Sequence, residues 1–488
     1  MDRMTKFLNI ALAQTLLAAT AAPAFAQNTG TFEVPAAFNL TVTDTLGAPV
    51  SGADVMIGQA PNAPFTGNIF KTDQDGRIEL PANWIDQQPI TIESTGFVRT
   101  TYLEMTPAIT TLQIRRQIEA IHLASAAPFE LKGNTSGFGT LKNDGIFDLG
   151  LVFQGVPRSA LSSVALTSLI SSEVDHMTVL GQSVDVPSNI TLPAQTESYI
   201  FPVRFDKPGY RLYLPSSGTW EVSALHARTP FKAAVDAMQS GKPFSDLVNT
   251  FEFVEGSVYE ANVTQPSQTL DLQVNAMRFT KSIKFTAPTY DPGLNLLAVS
   301  LANSKGSYYP TDIKNVPSST TVLLSAPAGT ATDGMVLAAY KKAGTKSVGA
   351  ASDQFSAVVL PNNEQRPFDP IRLVAPPIAS ATELALDLPA VPTELNPIMT
   401  YAVLNLVTSI TQGKLKLENK QPQWDVWAPS WVSKLTLPQT RLPTIDPSNQ
   451  TLRWEAGFHA QFIGEKSLPP GPGALEKITH VSRSAVDL

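Results

Sequence analysis

The chain has 488 residues, 43% hydrophobic and 16% charged, with a formal net charge of −7 and no cysteine. That much apolar surface can build several cores, about three domains at ordinary domain size, so global disorder is excluded. The acidic balance excludes a nucleic-acid binder, which needs clustered Lys and Arg against phosphate, and the missing thiols exclude disulfide scaffolds, Cys-ligated zinc and iron–sulfur sites.

The amino terminus carries Arg3 and Lys6, then an apolar run from Phe7 to Ala22, then Pro23-Ala24-Phe25-Ala26. A charged start, an apolar stretch and a small-x-small triplet make a signal peptide, residues 1–26, cleaved after Ala26. The run is too short and interrupted for a membrane span, and no Cys stands at the cleavage point for a lipid anchor. A large exported chain without cysteine suits a Gram-negative bacterium, with the periplasm or the cell surface as destination.

From Phe32 to Ile114 short alternating runs are separated by turn residues. Phe38-Asn39-Leu40-Thr41-Val42 alternates with period two, as a half-buried strand does. Lys71-Thr72-Asp73-Gln74-Asp75-Gly76 turns the chain before Arg77-Ile78-Glu79-Leu80. An EF-hand aligned on Gly76 would have Lys71 and Ala82 at its first and last ligand positions, so Asp73 and Asp75 read as turn residues bonding local N–H groups. The order Val42, Asp44, Gly47, Pro49-Val50, Gly52-Ala53, Val55, followed by Thr72-Asp73, Asp75-Gly76 and Gly96-Phe97, resembles the carboxypeptidase regulatory-like family. The resemblance implies a transthyretin-like β-sandwich over residues 27–116 and a non-catalytic module of a secreted or surface protein.

Residues 117–265 read as a second β-rich domain. Asn143-Asp144-Gly145 is a hairpin signal between Phe138–Leu141 and Ile146–Leu149, and strand character returns at 196–201, 210–214 and 219–222. One short helix is expected near 230–240, with Thr229 as N-cap, Pro230 at the first helical position, and Phe231, Ala234, Val235 and Met238 on one face. Residues 266–488 read as a β-rich C-terminal region, two modules if the Pro-rich joints within 361–397 divide it. Strands are expected near 270–277, 321–324, 355–360 and 415–417, while 335–342 reads as strand or helix. Thr451-Leu452-Arg453-Trp454 resembles the opening of a fibronectin-type sandwich. The fold class is therefore mainly all-β, tandem sandwich modules with one short helix.

Chemistry is harder to find. The histidines are His122, His176, His226, His459 and His480, with no H-E-x-x-H spacing, no second His within four residues, no G-x-S-x-G elbow and no glycine-rich phosphate loop. In Glu173-Val174-Asp175-His176 a strand would put the carboxylates on one face and the imidazole on the other, so a polar edge or loop is expected in place of a metal cage. No catalytic, cofactor or metal residues are assigned, and no cofactor is expected. Four of the six tryptophans fall between Trp424 and Trp454. Trp424, Trp427 and Trp431 are candidates for an exposed aromatic surface that binds a protein or glycan, with a buried sandwich core as the commoner use of such residues. The leading expectation is an exported non-enzymatic protein that binds a protein or carbohydrate at the cell envelope. The alternatives are a secreted hydrolase whose site is dispersed over 117–488, or a structural component of an envelope assembly. An outer-membrane barrel is disfavoured by short, Pro-interrupted runs.

Overall fold

A computed structural model describes residues 39–59, 69–81, 84, 86–117, 129–141, 145–157, 171, 173–179, 182–194, 206–214, 217–230, 232, 250–290, 293–304, 307–328, 334–341, 354–360, 370–412, 415–439, 441–466 and 469–488. The expected leader lies outside these. Strands dominate the described chain, and helix is almost absent. Its first part supplies β1 (Asn39–Asp44), β2 (Asp54–Ile57), β3 (Ile69–Lys71), β4 (Arg77–Glu79), β5 (Gln88–Glu93), β6 (Arg99–Met105) and β7 (Thr111–Ile114). Then follow β8 (Phe129–Ser136), β9 (Ile146–Gln154), β10 (Val156–Pro157), β11 (Val174–Val179), β12 (Gln182–Pro187), β13 (Ile190–Thr191), β14 (Gly209–Leu214), β15 (Gly218–Pro230) and β16 (Glu252–Val263). The next group is β17 (Ser267–Thr269), β18 (Leu272–Gln273), β19 (Met277–Arg278), β20 (Lys281–Thr286), β21 (Leu294–Ser304), β22 (Ser307–Asn315), β23 (Thr321–Ala326), β24 (Gly334–Lys341) and β25 (Phe355–Leu360). The chain closes with β26 (Ile378–Ala379), β27 (Glu383–Ala385), β28 (Leu395–Gln412), β29 (Leu415–Ala428), β30 (Lys434–Thr436), β31 (Gln450–Phe462), the single turn α1 (Pro472–Leu475) and β32 (His480–Asp487).

In the first part, β1 buries Leu40 and Val42 while its alternate residues face outward, as period two requires. Sheet β4-β1-β7 lies over β3-β2-β5-β6, and the layers close on Leu40, Val42, Val55, Ile57, Ile90, Ile92 and Ile114. The turn residues have local duties. Asp44 Oδ1 accepts from the N–H groups of Leu46 and Ala48, and Asp73 Oδ1 from those of Asp75 and Arg77, the aspartate turns expected from the sequence. Gly76 sits at φ 72°, where an added Cβ would lie 2.5 Å from the Val42 carbonyl oxygen, so only glycine fits. Thr72 Oγ1 accepts from Ala53 N–H and donates to the Val50 carbonyl, stitching β2's approach to the turn.

A second sandwich sets the five-stranded sheet β13-β9-β15-β16-β19 against a four-stranded one, β14-β8-β17 with β18 also paired to β8, around Leu131, Val152, Tyr210, Leu212, Val222 and Val263. The other face of the five-stranded sheet, with Leu149, Leu151, Phe153 and Leu225, packs on Leu297, Val299, Tyr309 and Ala357. Those residues belong to a 13-stranded sheet of order β10-β22-β21-β24-β25-β32-β31-β28-β29-β6-β5-β2-β3.

That sheet revises the expected modules. β6 pairs in parallel with β29, Arg99 opposite Trp424 through Tyr102 opposite Trp427, so hydrogen bonding runs across the boundary at 116. β10 pairs with β22 across 265, and β25 joins β32 across the joint at 361–397. Sequence punctuation marked the turns, but which strand edges meet is decided by apolar faces far apart in the chain. The hairpin around Asn143-Asp144-Gly145 is also corrected. β8 and β9 lie in different sheets, and Phe138–Leu141 is not strand, because Gly137 and Gly139 at positive φ break it. Thr229 and Pro230 end β15, opposite Phe147 and Ile146, and so are not the N-cap and first helical residue; of 231–240 only Lys232 is described, and it is helical, while the rest of the expected helix lies outside the described residues. The ambiguous run near 335–340 is strand. Among the described residues no helix is long and apolar enough to cross a membrane.

Candidate functional site

Strand β31 alternates without a break. Leu452, Trp454, Ala456, Phe458, Ala460 and Phe462 point one way; Arg453, Glu455, Gly457, His459 and Gln461 point the other. Both sets are buried, so a row of polar groups runs through the interior. Its neighbours in register are Tyr401 and Arg483 flanking Gly457, and Val403 and Ala485 flanking Glu455.

Burial alone would raise the Glu455 carboxyl, but three cations outweigh it and hold it down to about 2. Lys420 Nζ stands 2.6 Å from Oε1 and Arg483 Nη1 3.0 Å from Oε2, with the Arg453 charge also acting on it. Arg453 itself is paired to Asp487 at 2.5 Å. His459, only 3% exposed, is pushed down to about 3, first by burial and then by the Arg483 charge. The ring is therefore neutral at ordinary pH. Tyr401 donates to Asp425 Oδ1 at 2.8 Å, and Arg115, just beyond β7, grips the same carboxylate with Nε at 2.6 Å and Nη2 at 2.7 Å. Burial drives the Tyr401 phenol far up, so it stays a neutral donor. A chamber of about 10 Å³ is lined by Tyr401, Val403, Glu455, Ala456, Gly457, His459 and Arg483. That is room for about one water molecule and for no organic substrate.

A second constellation lies between the smaller sheets. His226 Nε2 is 2.8 Å from Asp148 Oδ1 and its Nδ1 3.0 Å from Glu255 Oε1, with Arg228 beside Asp148 and Arg278 beside Glu255. The imidazole is 4% exposed, and the Phe138 ring meets it edge-on at 5.1 Å. Acids and an imidazole converge there, but inside packed strands. No group of three or more His, Asp or Glu among the described residues is arranged to hold a metal.

The candidate tryptophans are interior. Trp424, Trp427 and Trp431 are 2%, 0% and 8% exposed, so the core use holds and they offer no binding face. Trp427 stacks on Tyr401 with ring centroids 3.9 Å apart. Trp424 donates to Thr101 Oγ1, and Trp431 to the His459 carbonyl. In Glu173–His176, Asp175 lies on β11, a strand of the two-stranded sheet β11-β12, in line with the expected polar edge, and it is paired to Lys207 at 2.9 Å and to Arg211. Burial lowers Lys207, which Asp175 partly restores; its ammonium also donates to the carbonyls of Ile190 and Gly209. His122 lies outside the described residues. Sequence reading passed over Tyr401, Asp425, Glu455 and His459, although the alternation of β31 was visible in it.

Neither a family model nor a curated protein matches the sequence. Among solved structures, the native conformation of alpha-2-macroglobulin from E. coli is similar over 90% of this chain and 26% of that one, at 9% identity and a TM-score of 0.15. The chain thus spans about a quarter of that protein's length, and a likeness of that degree carries no argument.

Proposed function

We propose that the chain is an exported, non-enzymatic β-sandwich protein that binds a protein or glycan in the periplasm or at the surface of a Gram-negative bacterium, its first module being of the carboxypeptidase regulatory-like kind. The observation that carries the non-enzymatic part is the mutual neutralisation of its buried charged groups. Glu455 is consumed by Lys420 and Arg483, Asp425 by Arg115 and Tyr401, and the chamber beside them is water-sized. A catalytic group needs a substrate within hydrogen-bond reach, and these side chains spend that reach on one another. Export is supported by the leader pattern of residues 1–26. With the tryptophans interior, the partner surface lies among other residues.

The large sheet ends in β3 and β10, strands of three and two residues. Edges that short resist strand-to-strand pairing, which weighs against a fibre-forming envelope component. The arrangement that speaks for a hydrolase is Asp148–His226–Glu255, and its burial under Phe138 weighs against that reading. Fractionation of a bacterium expressing the full chain, with amino-terminal sequencing and cross-linking on intact cells, tests the proposal. The expected result is a mature protein starting at Gln27 in the envelope fraction, cross-linked to a protein or glycan. An uncleaved cytoplasmic chain, or turnover of ester, peptide or glycoside probes lost in His226→Ala, overturns it.

A further inference from the structure

The chamber beside β31 has a property that ion pairing leaves unused. His459 Nδ1 is buried and has no hydrogen-bond partner among the described residues, and its ring lines the chamber. A buried polar nitrogen without a partner forfeits its hydration with nothing in return, so native proteins rarely leave one so. Glu455 and Arg483, whose carboxylate and guanidinium are paired at 3.0 Å, line the same chamber. The Tyr401 ring stands 5.7 Å from the imidazole, centroid to centroid.

We propose that this chamber is a binding site for one water molecule, which bridges His459 Nδ1 to the Glu455–Arg483 pair. Three observations carry it. The volume of about 10 Å³ meets the minimum for a single water and excludes anything larger. The lining offers two to four polar partners, the number an internal water uses: an imidazole nitrogen, a carboxylate with lone pairs beyond its two ion pairs, and a guanidinium. The third is the buried His459 Nδ1 without a partner, with Gly457, which has no side chain, between His459 and Glu455 on the same face of β31. A Cβ there would lie 2.3 Å from the Ser482 carbonyl oxygen and 2.5 Å from Arg483 Cβ, so no other residue can stand there without a shift. The class of ligand is a neutral hydrogen-bonding molecule of water size. An inorganic anion is too large and would meet the Glu455 charge.

A crystal structure of the full mature chain, at a resolution where ordered waters appear, tests this directly. The expected result is one peak within hydrogen-bond distance of His459 Nδ1 and of Glu455 or Arg483. No peak, or a protein group paired with Nδ1 in its place, overturns the proposal. The same structure of His459→Phe keeps an aromatic ring there and removes both ring nitrogens; the peak should vanish while Glu455, Lys420 and Arg483 stay in place. A peak unchanged in that variant means that His459 does not hold the water, and also overturns it. If the variant fails to fold, the wild-type density decides alone.

Discussion

Asp425 illustrates how much one side chain can carry when its partners are also interior. Its carboxylate is fully buried between the Arg115 guanidinium and the Tyr401 hydroxyl. A buried pair adds little net stability over apolar packing, but removing one member strands the other charge without solvent or counterion. Asp425→Ala should therefore cost about 3–5 kcal/mol, read as a lowered urea midpoint at unchanged slope. A loss below about 1 kcal/mol would mean that Arg115 finds water when released, and the argument for a dry cluster would fail. The residues of the regulatory-like motif are of another kind. Asp44, Thr72, Asp73 and Gly76 hold backbone turns, Asp44 also pairing with Arg116 at 2.9 Å, which is why a pattern so legible in sequence says so little about activity.

At the scale of elements, strands announced themselves wherever alternation was regular, as at β1, β14 and β31. The tryptophan run shows what that regularity implies when applied strictly. Positions three apart on a strand point to opposite faces, so Trp424 and Trp427 could never form one platform. Trp424 packs with Leu404 and Trp454, Trp427 with Tyr102 and Tyr401. The seam between β6 and β29 was invisible, since parallel partners more than three hundred residues apart leave no local trace. Around it gather Trp424 on Thr101, Arg115 on Asp425, and Arg99 over the Trp424 ring at 5.4 Å. A chain lacking residues 1–116 should thus expose the β29 edge and a large apolar face. Size-exclusion chromatography is expected to find it aggregated, and co-expression with residues 27–116 to restore a soluble complex of both pieces. A truncated chain that stays monomeric with an unchanged melting temperature would show the first part to be an independent appendage.

For the whole molecule, the buried polar row makes stability a function of pH. His459 is lowered from 6.5 to about 3 and Glu455 from 4.5 to about 2, so the unfolded chain binds more protons than the native one in acid. Both contributions are complete above pH 6.5; the His459 part drains away between 6.5 and about 3, the Glu455 part between 4.5 and about 2. Urea midpoints should fall steadily across that range, and His459→Phe should flatten the upper part of the fall. A wild-type midpoint that does not move between pH 6.5 and 4.5 would contradict the buried neutral imidazole.

By itself the sequence determined the fold class, the aspartate turns of the first part and a minority of the strand positions, because period-two patterning, Gly, Pro and Asp act within a few residues of where they stand. Tertiary structure alone decided that these strands share one sheet across every expected boundary, that the tryptophans are interior, and that Tyr401, Asp425, Glu455, His459 and Arg483 meet. Alternation fixes which residues share a face; what covers that face is settled by contacts between segments hundreds of positions apart, and no local pattern encodes them.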